Sequence, residues 1–147
     1  EGLADRSSKL AVKWSLSEFI NMIELRGQTW SFAELGHNAG FCLPPSDDFY
    51  FYSILDGQVR IAGISEEPVE LTTGEIVFIL SSEAHALRVN GSDPVTTFRF
   101  LADGEYRDAP LHSTFGTGMA SARLLCGRLK VRWPGSQRPS GLPALLR

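Results

Sequence analysis

The sequence predicts an all-β fold, a closed barrel or jelly roll with a short N-terminal helix. Three observations point there. Past residue 28 the apolar residues fall into about eight to ten short segments of strand length, split by turn residues about every 8–12 positions. Several of these segments are so apolar that an open sheet would leave sticky edges, which closure removes. Only one stretch, before residue 28, follows a helical period instead.

That helix opens at Ser15 and Ser17, both good N-cap types, with Glu18 in its first turn. Leu16, Phe19, Ile20 and Ile23 form the apolar stripe, and Gly27 ends it after Arg26 in the last turn. At about three turns it is too short to stand alone and must pack on an apolar surface. Residues 29–35 (TWSFAEL) alternate in part and are rich in aromatics. Residues 49–55 (FYFYSIL) read as a strong strand, and Asp56-Gly57 as a hairpin turn returning through residues 58–64. After the turn at residues 65–68, Val69, Glu70 and Leu71 lead to a second turn at Thr72-Thr73-Gly74. Residues 75–80 (EIVFIL) read as a strand buried on both faces. Residues 84–89 and 95–101 follow, split by the turn-rich stretch 90–94. Residues 122–133 (ARLLCGRLKVRW) form the last long strand, with Gly127 expected at a bulge or barrel corner.

A chain of 147 residues with 43% apolar and 21% charged side chains is one soluble globular domain in composition. Neither a spanning run of about 18 apolar residues nor a leader-like apolar region near Glu1 is present, so no membrane role and a cytoplasmic setting are expected. The start at Glu1 instead of Met reads as a processed or excised piece. Cys42 and Cys126 lack the spacing of a disulfide framework or zinc knuckle and read as small buried hydrophobes. All 17 acidic side chains fall within residues 1–109, while residues 110–147 hold six basic ones and no acid. Arg128, Lys130 and Arg132 alternate with Leu129 and Val131, so the solvent face of an edge strand explains them better than a nucleic-acid surface.

Few reaction chemistries survive inspection. There are three histidines, His37, His85 and His112, and no GxSxG elbow. Gly116-Thr117-Gly118 is followed by strand-like sequence, so it is no phosphate-cradling turn before a helix. The acid pairs Asp47-Asp48 and Glu66-Glu67 lie in turn-like stretches and read as solvated.

Residues 43–90 resemble the two motifs of the cupin superfamily. The first closes at Ile54-Leu55-Asp56-Gly57, and the second runs from Gly74 to His85, eleven positions on, with Leu80 and Ser82 replacing its usual Pro and second Gly. The resemblance implies a cupin-type double-stranded β-helix. A metal-binding cupin places a Glu where this chain has Tyr50, two His near Pro44 and Ser46, and a third His at His85. With three of four ligand positions lost, the barrel is expected to hold no metal and no cofactor, because a catalytic ion needs about three protein ligands. The stretch from Ala122 to Leu129 (ARLLCGRL) and the ending GLPALL are similar to the N-terminal cupin domain of AraC/XylS-type transcriptional regulators, as are residues 43–46 and 51–57. That subgroup often carries His where this chain has Tyr52.

This resemblance, spanning residues 15–147, implies a non-catalytic ligand-sensing and dimerisation domain. Its boundaries would be a helical segment over 1–27, the barrel over 28–133 and, from 134 to 147, the start of a helical linker. The implied partners are a small-molecule effector and a second copy, with DNA reached only through a helix-turn-helix half outside this chain. The rivals are a small stand-alone cupin enzyme, a metal-dependent oxygenase or isomerase, and an assembly module with no ligand. If Tyr50 points inward, strand alternation brings Tyr52 with it and His85 faces them, so the expected ligand-binding residues are Trp30, Tyr50, Tyr52, His85 and Phe98. Rings in such a pattern more often simply fill the barrel as ordinary core.

Overall fold

A computed structural model of the chain describes residues 24–91, 95–98, 100, 111–132 and 141–147. Among them every regular element is a strand. Eleven strands run in chain order: β1 (Glu24–Gly36), β2 (Gly40–Leu43), β3 (Phe49–Asp56), β4 (Gln58–Ala62), β5 (Val69–Thr72), β6 (Ile76–Ile79), β7 (His85–Arg88), β8 (Thr96–Thr97), β9 (Leu111–Phe115), β10 (Ala120–Arg132) and β11 (Leu145–Leu146). They form a six-stranded sheet in the order β11-β6-β3-β10-β1-β9 and a five-stranded sheet in the order β5-β4-β7-β2-β8. The architecture is a jelly-roll sandwich. None of the described residues forms a helix long and apolar enough to cross a membrane.

Strand alternation builds the core between the sheets. Ala122, Leu124 and Cys126 on β10 face inward beside Tyr52 and Ile54 on β3, and meet Phe41, Ile61, Leu71 and Leu87 of the other sheet. The opposite face of β3 and β10 carries a second, smaller cluster of Phe49, Leu80 and Leu129, with Leu142 and Leu146 packed on it. β3 is thus buried on both sides, with Tyr50, Tyr52 and Ile54 in one cluster and Phe49 in the other.

Several expectations change. The N-terminal helix lies outside the described residues except for its last turn, and there residues 24–27 belong to β1. They pair with β10 across a register shift between Leu25 and Gly27, so main-chain bonding to a long neighbour overrides the helical period. Asp56-Gly57 is no hairpin: β3 pairs with β10 and β6, whereas β4 pairs with β5 and β7 in the other sheet. Gly57 instead carries the chain between sheets at a φ of 94°, where a Cβ would sit 2.3 Å from the Ser121 carbonyl oxygen. β6 sends Val77 and Ile79 into the core, while on its other face Phe78, with Leu80 just beyond the strand, joins the outer cluster and only Ile76, 49% exposed, meets solvent.

Gly127 sits in unbroken register between Trp30 and Phe51, not at a bulge. A Cβ there would lie 2.3 Å from the Phe51 ring, so the glycine leaves room for Phe51 to lie over the strand, its ring 4.8 Å from Trp30. Residues 134–140 lie outside the described region. The expected helical linker does not begin at 141–147, because Leu145 and Leu146 pair with Ile79 and Phe78 and extend the sheet. The Arg147 guanidinium bonds Glu75 beside that edge and holds its carboxyl below the usual range.

Candidate functional site: a tyrosine–histidine pair across the sandwich

β3 delivers Tyr50 and Tyr52 from the larger sheet, and β7 delivers His85, its first residue, from the smaller one. The Tyr52 hydroxyl oxygen lies 2.6 Å from His85 Nε2, a buried contact that ties the two sheets together. The Tyr50 ring meets His85 edge-on at 5.3 Å and leans on Phe100 at 5.8 Å. Phe98 stacks between Phe100 and Phe41 at 4.5 and 4.7 Å, held by its N–H donating to the Cys42 carbonyl. Four of the five expected residues, Tyr50, Tyr52, His85 and Phe98, therefore share one buried neighbourhood. Trp30 does not. It sits on the outer face of the larger sheet against Phe51, because β1 turns its even-numbered residues away from the core.

Burial sets the electrostatics. It pulls His85 from the usual 6.5 down to about 4, opposed only by the Glu83 backbone. It pushes the Tyr52 phenol well above 10, with Cys126 and Tyr50 adding smaller pushes the same way. Tyr50 is also raised by burial, against the pull of the Ser46 hydroxyl and Arg128. At neutral pH the pair is an uncharged O–H and an uncharged imidazole. Burial likewise raises the Cys126 thiol, in keeping with a small buried hydrophobe.

One end of this cluster carries charges that the sequence pattern hides. Arg128 Nε donates to Asp48 Oδ2 at 2.6 Å, and Arg128 is the cross-strand neighbour of Tyr50. Asp48 is half-buried, not a solvated turn acid, and its N–H is capped by the Ser46 hydroxyl at 3.1 Å. β10 is a central strand, so the edge-strand reading of its cations fails: even-numbered Arg128 shares the inward face, and Leu129 and Val131 belong to the outer cluster. No local signal shows this, since Asp48 and Arg128 lie 80 positions apart. Away from the pair, a polar groove of about 370 Å³ runs past Gln58, Arg60, Glu70, Asn90 and Ser121. Glu70 is held there by Arg60 at 2.9 Å and Gln58 at 2.8 Å.

The family model described as Cupin matches residues 15–147. The chain belongs to the cupin family. A solved cupin protein from Bacteroides fragilis is 15% identical, with 80% of this chain and 71% of that one covered at a TM-score of 0.37. No curated protein matches. Metal-dependent cupins hold their ion with imidazole and carboxylate groups, and the residues of this cupin do not fit one. The positions that the resemblance gives to its ligands, at or near 44, 46, 50 and 85, hold Pro44, Ser46, Tyr50 and His85, and His85 Nε2 is taken by Tyr52. Among the described residues no three of His, Cys, Asp and Glu come together as a ligand set.

Proposed function

We propose that this cupin domain is the ligand-sensing and dimerisation half of an AraC-type transcription regulator, and that it does not catalyse. The observation carrying this reading is the Tyr52–His85 contact in place of a metal centre. It leaves a barrel interior with aromatic walls and one buried polar pair, the composition of a small-molecule pocket. Tyr50, Tyr52, His85 and Phe98 are its ligand contacts in this reading. A cytoplasmic effector bound there would act by favouring one of two arrangements of the domain, since only differential affinity shifts an equilibrium. DNA would be met by a separate helix-turn-helix module. The closing residues ARLLCGRL and GLPALL support the regulator class through their likeness to that subgroup.

The test is the reading frame beyond the codon for Arg147, together with sedimentation of the chain. A helix-turn-helix continuation and a concentration-dependent dimer are the expected results. A stop codon in a protein that turns over a substrate with bound iron or manganese contradicts the proposal and favours a stand-alone enzyme.

A further inference from the structure

His85 is 3% exposed, and its Nδ1 has no hydrogen-bond partner. The Glu83 backbone approaches the ring without closing a bond of ordinary geometry on that atom. Such a nitrogen is costly to leave unmet. The Tyr52 contact decides which kind of partner it needs. A neutral imidazole has one N–H and one bare nitrogen, and the bond made by one fixes the other. If Nε2–H donated to Tyr52, two groups would go unmet, the phenol hydrogen and the Nδ1 lone pair. If Tyr52 O–H donates to Nε2, only one goes unmet, an N–H at Nδ1. The second arrangement is favoured.

We infer that neutral His85 carries its proton on Nδ1, and that this buried N–H, on a ring 5.3 Å from that of Tyr50, is the anchor for a carbonyl oxygen of a neutral aromatic or apolar ligand. The inference rests on the ligand-binding reading above and deepens it. A carbonyl fits better than a carboxylate, because a single neutral donor among aromatic rings does not offset the desolvation of a full charge. Among the described residues, the cation beside Tyr50, Arg128, is already paired with Asp48. A purely apolar ligand would leave Nδ1 as it is, and an amine would set a donor against a donor.

Proton-detected nitrogen NMR on the labelled chain tests both halves, and with three histidines in the sequence the His85 signals are assignable. Nδ1 is expected to show the protonated shift and Nε2 the bare one across neutral pH. Tyr52→Phe, which keeps the ring, should turn this fixed tautomer into a mixture. A wild-type spectrum with the proton on Nε2, or an unchanged tautomer in Tyr52→Phe, overturns the assignment. Titration with acetophenone, benzoate and ethylbenzene then reads the ligand class. Acetophenone should move the Nδ1 proton saturably, and more than either of the others. Equal shifts with ethylbenzene, stronger shifts with benzoate, or no shift with any of the three overturn the carbonyl anchor. A regulator with a different effector would still show its helix-turn-helix continuation, so the two failures are told apart.

Discussion

Acid should weaken this domain through His85 in a way that can be measured against a single variant. The side chain titrates at about 6.5 when unfolded and is pulled down to about 4 in the fold, chiefly by burial. Between those values the unfolded chain binds a proton that the folded chain refuses, so stability is intact above pH 6.5 and falls as the pH drops. The difference of about two and a half units is worth about 3 kcal/mol, of which about 2.5 kcal/mol is lost by pH 4.5. Urea unfolding at fixed ionic strength from pH 7.5 to 4.5 reads this directly. Carboxylates titrate over part of the same range, so the useful quantity is the stability difference between the wild type and His85→Gln. At pH 7.5 the variant should be the less stable, having lost the Tyr52 contact. The gap should close by about 2.5 kcal/mol at pH 4.5, because the variant has no imidazole to protonate. A gap that stays constant across the range would refute the claim that His85 is held neutral by its surroundings.

Two further outcomes follow from packing and charge. Gly127→Ala should cost about 1–3 kcal/mol in urea unfolding, because its methyl meets the Phe51 ring, and Phe51→Leu in the same chain should recover part of that loss. Asp48→Ala should lower stability by about 1.5–3 kcal/mol, leaving a partly buried guanidinium unpaired beside Tyr50, and Arg128→Met in that background should restore part of it.

The sequence exposes those parts of the fold that depend on local pattern. The run FYFYSIL declares a strong strand, and β3 is one. Alternation from Tyr50 to Tyr52, together with the Gly74–His85 spacing, is enough to bring the tyrosines and the histidine together. What stays hidden depends on partners far along the chain. Asp-Gly announces a change of direction but not whether the next strand joins the same sheet, and here it joins the other one. Residues 111–115 (LHSTF) have little apolar alternation and become β9 only by parallel pairing with β1, where the Ser31 hydroxyl also donates to the Leu111 carbonyl. Trp30 has an aromatic neighbourhood that suggests a pocket, yet its face is set by register against Gly127. Arg128 looks like a solvent-facing cation until Asp48 is placed beside it.

The imidazole nitrogen of His85 bonds either a phenol or an ion, and the two exclude each other. The direct measurement is elemental analysis of the chain, expressed with added iron, manganese and zinc and purified without chelators, with X-ray absorption on any metal retained. Less than about one-tenth of an equivalent of any of the three is expected. One full equivalent, with an absorption spectrum showing nitrogen ligation lost in His85→Gln, would contradict that.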